Sequence, residues 1–411
     1  MKHSKTYSTF FAGTPIDIMD YLGEPNETYT TGDSSVLRSY TGKDIEEFRT
    51  LCRFLTAQGW ECLSDYTENG SVFATYRKGN ELCHFYIPAD RENTLRVVRS
   101  DHANLPEAPT VTGGTKETTV TQLKLPLTET NGYSNGMGYV VRLADGSFLI
   151  FDGGYAEQAD QLWQTLVKQN GGEEGIVIRA WCLTHAHGDH YGILQTFASR
   201  YASKVTLERF IAAPVNEADA TDPCFNVTLP KVIAQYAGAV LTVPHTGMVF
   251  RFCNLTLEIL FTPDERLIDG KPENFDFNSS GTVYRLSGDD DRMLFLGDVL
   301  NDVTSRLQTI WGDHLRTNMV QVAHHGVGNS PLAFYESLGA KVLFYPAGHL
   351  LYGGENGDFG ESKAFADNWR RNGAVRKALA ESDKYEILLH DENAYLRVWG
   401  SSAPAQIFTI D

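Results

Sequence analysis

Apolar residues recur along this chain with two periods, and the places where one period gives way to the other mark its elements. Ile45, Phe48, Leu51, Cys52 and Leu55 stand at helical spacing, Thr41 with Asp44 three residues on offers a capping box, and Gly59 marks the end. Strand-like runs follow at 60–63, 71–76, 82–87 and 95–98, with Asn69-Gly70 and Lys78-Gly79-Asn80 as turns. This predicts one helix on an antiparallel meander. The Pro- and Gly-containing stretch 101–117 reads as a linker, so the chain divides into a small α+β domain with its linker, residues 1–112, and a larger domain, residues 113–411. In the larger part, strands are expected at 118–125, 137–143, 147–151 and 176–183, with a helix over 158–168. Further on come a hairpin of 248–252 with 256–261 and strands at 282–286, 293–296, 319–323 and 341–345. A closing hairpin is expected to pair 385–389 with 395–398 across Asp391-Glu392-Asn393.

Composition narrows the class. A chain of 411 residues can bury a deep core, and 42% hydrophobic with 21% charged residues excludes disordered and fibrous classes. No run approaches the ~18–20 apolar residues of a membrane span, and the start of the chain lacks an apolar signal region. The expected location is cytoplasmic, with no membrane partner. Cys52, Cys62, Cys83, Cys182, Cys224 and Cys253 form no C-x-x-C pair, which fits reduced, buried thiols. A net charge of −17 repels phosphate backbones, so tight binding of duplex nucleic acid is not expected. Metal ions in a cleft would still draw a small anion.

The strongest chemical signal follows the β run 176–183. Thr184-His185-Ala186-His187-Gly188-Asp189-His190 places three histidines and an aspartate within six residues. Imidazole and carboxylate suit borderline divalent metals. On a turn, His185 and His187 can face one ion while Asp189 and His190 face a second, with Gly188 permitting the bend.

This H-x-H-x-D-H run resembles the signature of the metallo-β-lactamase superfamily, and other landmarks occur in the family's order. Leu149-Ile150-Phe151-Asp152-Gly153-Gly154 lies upstream; Met293-Leu294-Phe295-Leu296-Gly297-Asp298 and Val320-Gln321-Val322-Ala323-His324-His325-Gly326 lie downstream. The resemblance spans roughly residues 118–400. It implies an α/β fold, an αββα sandwich, holding two divalent ions, zinc or else manganese. It also implies that Asp298 bridges the ions, that His325 is a further ligand, and that Asp152 orients the metal loop.

One departure concerns the Thr-Pro-Gly-His segment by which many members supply another ligand. Here the corresponding hairpin ends Phe261-Thr262-Pro263-Asp264-Glu265, without the histidine. His245 precedes that hairpin and reads as structural, and Asp276 or Asn278 is a candidate substitute. The departure and the His-His-Gly run resemble the competence-type DNA-uptake nuclease domain and the teichoic-acid phosphorylcholine esterases. Both act on phosphodiesters. By that resemblance His324 protonates the leaving group after attack by hydroxide bridging the metals. The substrate is expected to be a small or single-stranded phosphodiester. Alternatives are a hydrolase of a lactone, thioester or β-lactam, or a non-catalytic module in which the metals are structural and the N-terminal unit binds a partner. His349 reads as a surface or satisfied histidine, and His3, His84, His102, His314 and His390 receive no role.

Overall fold

The computed structural model describes residues 18–30, 35–101, 104–107, 113–124, 135–214, 224–268, 277–347, 375, 378–379, 382–389 and 393–410. Its first unit opens with helix α1 (Ile18–Leu22) and strands β1 (Glu27–Thr30) and β2 (Val36–Thr41). Helix α2 (Ile45–Ala57) follows, capped by Asp44, which accepts from the Glu46 and Glu47 amides at 2.9 and 3.2 Å. Thr41 ends β2 instead of joining a capping box. Strands β3 (Glu61–Glu68), β4 (Ser71–Lys78), β5 (Glu81–Ile87) and β6 (Thr94–Ser100) complete an antiparallel sheet, ordered β1-β2-β6-β5-β4-β3. Its alternation sends Val72, Ala74, Phe85, Ile87, Leu95 and Val97 against Phe48, Leu51 and Leu55 of α2. The opposite face is covered too. Phe73 and Tyr86 enter the core of the rest of the chain, and Phe73 stacks on Trp311 with ring centroids 4.8 Å apart.

The remainder is built on two sheets. Strands β7 (Thr119–Gln122), β8 (Gly138–Arg142), β9 (Phe148–Asp152) and β10 (Ile176–Cys182) start the first, with helix α3 (Ala159–Asn170) between β9 and β10. After β10 come α4 (Gly188–Tyr191), α5 (Ile193–Tyr201), β11 (Val205–Leu207), β12 (Arg209–Ile211), α6 (Cys224–Ile233) and β13 (Val240–Thr242). The second sheet begins with the hairpin β14 (Val249–Phe252) and β15 (Leu255–Phe261), followed by the short helix α7 (Asp264–Ile268). It continues through β16 (Val283–Ser287), β17 (Arg292–Phe295), helix α8 (Asn301–Trp311), β18 (Met319–Gln321), helix α9 (Leu332–Leu338), β19 (Val342–Tyr345) and β20 (Glu386–Leu389). Strands β21 (Ala394–Val398) and β22 (Gln406–Phe408) return to the first sheet beside β7. The expected closing hairpin does not form. β20 pairs in parallel with β19 in one sheet, whereas β21 pairs with β7 in the other. The apolar pattern marks strands but not their partners.

The sheets face each other across Tyr139, Phe151, Ala180, Cys182, Ile259, Tyr284, Phe295 and Phe344. Phe151 and Phe295 stack at 3.9 Å between centroids, one from each sheet. Helices α3 and α5 cover the outer face of the first sheet through Leu162, Leu166, Ile193 and Phe197. Helices α8 and α9 cover the second through Val303, Leu307, Phe334 and Leu338. The result is the αββα order of layers, a mixed α/β fold. A bulge in β10 between Ile178 and Ala180 breaks its alternation, so Ile178 packs under the helices and Ala180 between the sheets. It re-aims the end of β10, where the histidine run begins. Among the described residues, no helix is long and apolar enough to cross a membrane. Four of the cysteines, Cys52, Cys83, Cys182 and Cys253, are buried, while Cys62 is exposed.

Candidate metal centre

Strands β9 and β10 run parallel in one sheet, and β17, β18 and β19 run parallel in the other. Their carboxyl ends lie on the same edge of the sandwich, where open α/β sheets present functional groups. Asp152 ends β9, the histidine run follows β10, Gly297-Asp298 follows β17, and His324-His325 follows β18.

Asp152 is buried in a left-handed conformation, φ 51°. One oxygen accepts from the Thr184 amide at 2.8 Å; the other accepts from the Thr184 hydroxyl and from His190 Nδ1, both at 2.7 Å. His190 therefore carries its proton on Nδ1 and turns Nε2 the other way. His325 is fixed by the same logic, because Nδ1–H donates to the Pro346 carbonyl at 2.7 Å. Gln321 clamps the Gly297 loop, accepting from the Leu296 and Gly297 amides and donating to the Gly297 carbonyl. Gly297 has φ +56°, and a Cβ there would sit 2.9 Å from that of Thr184, so the close approach of the two loops requires glycine. Gly188 is different: it starts α4 with ordinary φ and open space around a Cβ position, so the bend does not depend on it. His187, in extended conformation, is the residue that caps α4.

Two groups of donors result. His185, His187 and Asp298 form one, and Asp189, His190, Asp298 and His325 form the other, with each group's donor atoms within 4.8 Å of one another. Only Asp298 belongs to both. Its Oδ1 lies 3.3 Å from His190 Nε2, and its Oδ2 lies 3.1 Å from His325 Nε2 and 3.7 Å from His185 Nε2. His190 Nε2, His325 Nε2 and Asp298 Oδ1 are buried without an aligned hydrogen-bond partner. Donor atoms converging at these distances, three of them unsatisfied, fit a divalent cation in the second group. In the first, His185 Nε2 and His187 Nδ1 lie 3.0 Å apart and share a hydrogen bond that an ion would replace.

The electrostatics agree. Burial opposes ionisation of Asp189 and Asp298, yet the neighbouring imidazoles outweigh it and hold both carboxyls below the usual range. Burial likewise opposes charge on His325, but Asp298 and Asp189 push it up to about 10. His185 goes the other way, driven down by burial and by His190 beside it. Without a cation the carboxylates take their counter-charge from His190 and His325. A divalent ion would supply that charge and free the imidazoles as ligands.

His324 belongs to neither group. Its side chain is 20% exposed, and Nε2 stands 3.9 Å from Asp298 Oδ2. Adjacent residues on a strand would point oppositely, but His324 and His325 sit in a turn, both left-handed at φ 49° and 52°. Both rings consequently lie on the Asp298 side. At the missing histidine position, Asp264 accepts from His245 at 2.6 Å, and Glu265 is buried against Arg96, Arg306 and Tyr86. Asn278 lies partly buried in the turn before β16; Asp276, His349, His3, His102 and His390 lie outside the described residues. His84 and His314 belong to other hydrogen-bonded networks, with Thr75 and Glu258 respectively.

Reading the sequence missed Asn135, which donates to Asp189 Oδ2 at 2.7 Å, and Gln321. Their partners are distant in the chain, so no local pattern announced them.

A family model described as Metallo-beta-lactamase superfamily matches residues 132–220, which include the histidine run. A search of curated proteins finds no match. Among solved structures, the metallo-beta-lactamase fold protein YhfI from Bacillus subtilis is 12% identical with TM-score 0.42, covering 69% of this chain and 100% of that one. Zn(2+)-bound PqqB from Methylobacterium extorquens is 14% identical with TM-score 0.38, covering 67% and 99%. CmlA, a diiron beta-hydroxylase from Streptomyces venezuelae, is 14% identical with TM-score 0.40, covering 69% and 54%.

Proposed function

We propose that the chain is a metallo-β-lactamase superfamily member and, on that premise, a binuclear metal-dependent hydrolase that cleaves a phosphodiester. The observation that carries this reading is the pair of donor groups sharing Asp298. In it, His185 and His187 hold one ion, Asp189, His190 and His325 hold the other, and Asp298 serves both. The set of imidazoles and carboxylates suits zinc, with manganese second. When bound, such ions acidify water and neutralise charge on a reacting phosphoryl group.

The chain's own residues do the rest. Asp152 and the Pro346 carbonyl set the tautomers of His190 and His325, which fixes where their Nε2 atoms point. Among the described residues the first group has three protein donors, and a site with three protein donors keeps a position for a substrate oxygen. His324, partly exposed beside Asp298 and outside both groups, stands where it can hand a proton to the departing alkoxide. A phosphodiester fits these parts because its leaving group needs protonation and its non-bridging oxygens need cations.

The test is a comparison of substrates. The zinc- or manganese-loaded protein should turn over bis-p-nitrophenyl phosphate faster than nitrocefin, and chelation should abolish the activity. The reverse ranking would assign it to carbonyl substrates such as lactones, thioesters or β-lactams. Metal binding without turnover of either would leave a structural centre.

A further inference from the structure

Asn135 lies just before β8 and forms a bridge with Ala347, the residue after Pro346. Two residues on, the Met137 amide donates to the Asp189 carbonyl at 3.0 Å. This short segment therefore ties the loop that carries Asp189 to the loop that fixes His325. The Asn135 side chain reaches the cluster itself. Its Nδ2 donates at 2.7 Å to Asp189 Oδ2, the oxygen that lies 2.9 Å from His325 Nε2 and 3.7 Å from His190 Nε2. The amide is in turn oriented from outside, because the Tyr155 hydroxyl donates to Asn135 Oδ1 at 3.1 Å. Only one orientation satisfies both partners. An ionised carboxylate can only accept, so it must face the NH2, and the phenol must then face the carbonyl oxygen.

We propose that Asn135 and Tyr155 are positioning residues that aim Asp189 as a terminal ligand of the second metal site. The inference rests on reading the cluster as a metal centre. A free aspartate side chain can rotate about two bonds and bind an ion through either oxygen. With the Asn135 NH2 on one side of Oδ2, the carboxylate plane is held and the other lone pair of that oxygen is left for the side of His325 and His190. Tyr155 is anchored where the chain leaves β9, its own amide donating to Gln158 Oε1 at 2.9 Å. The relay therefore runs from that segment to the ligand oxygen. Removing such an outer partner usually weakens metal binding about 10–100-fold.

The test is cobalt(II) titration of the chelator-stripped full chain, following bound ion and the visible absorption bands. Wild type should take up two ions. Asn135→Ala should weaken one of them by about 10–100-fold and change its bands, leaving the other ion as in wild type. Tyr155→Phe, which removes one oxygen, should weaken the same ion by less. Thermal unfolding of the metal-free variants should match wild type. Two ions bound by Asn135→Ala with wild-type affinity and spectra would overturn the proposal. So would equal weakening of both ions with a lowered melting point, the mark of general damage. Wild-type behaviour of Tyr155→Phe would remove the outer half of the relay. A wild-type protein that takes up no cobalt would instead overturn the metal centre, and the relay with it.

Discussion

At the scale of single residues, the neighbours His324 and His325 are separated by what holds them. His325 is buried, its Nδ1 spent on Pro346 and its Nε2 facing Asp298 and Asp189. His324 is one-fifth exposed and stands farther from Asp298. His325→Ala should therefore reduce bound metal, measured by elemental analysis after gel filtration. His324→Ala should retain its metal but lose about 10²–10⁴-fold in turnover, the usual contribution of a positioned acid. The loss should shrink for p-nitrophenyl esters, whose leaving group needs little protonation. Metal lost from the His324 variant but kept by the His325 variant would exchange the roles. The candidate cluster was legible in the sequence because H-x-H-x-D-H is contiguous. The residues that orient it were not, because Asn135 meets Asp189 from 54 positions away and nothing in an asparagine's neighbours reveals such a contact.

At the scale of elements, the centre is a meeting of strand ends. Parallel β17 and β18 bring Asp298 and the His324-His325 turn together, and β9 and β10 supply the opposite wall. Asp298 is the one residue common to both donor groups, so Asp298→Ala should empty both sites together. His187→Ala should affect chiefly the first. Metal content by inductively coupled plasma mass spectrometry distinguishes them; one ion retained by Asp298→Ala would refute the shared ligand. Most strands could be read from their apolar runs, whereas β1, β2, β11, β12, β13 and β22 escaped notice; in β1 and β2, Glu27, Thr28, Arg38 and Ser39 dilute the pattern. The closing hairpin was misread for a different reason. β20 and β21 have ordinary strand patterns, but pairing depends on which sheet has an edge available, and that is a property of the assembled fold.

At the scale of the whole molecule, the N-terminal sheet of β1 to β6 is not loosely attached. Its face towards the sandwich carries Phe73, Tyr86, His84 and Arg96; His84 bonds the Thr246 carbonyl at 2.9 Å, and burial with the nearby His245 drives its pKa down to about 3. Arg96 and Glu265 form an ion pair with no exposure on either side, and Arg306 joins it from α8 at 2.9 Å. Glu265→Ala would leave Arg96 buried without its counter-ion and should cost about 3–5 kcal/mol of stability. Chemical denaturation should show this as a lower midpoint, and an unchanged midpoint would mean that the pair contributes nothing.

Glu265 also limits which ligands this edge of the sandwich can supply. In the run Thr262-Pro263-Asp264-Glu265, it stands where the Thr-Pro-Gly-His pattern has its histidine, and it faces Arg96 of the added sheet. A neutral histidine at this position could not balance Arg96 and Arg306, so a ligand there and the buried ion pair exclude each other. Glu265→His should damage folding when Arg96 is present and much less in an R96L background, so the two positions are epistatic. Related chains that keep the histidine are expected to lack the arginine.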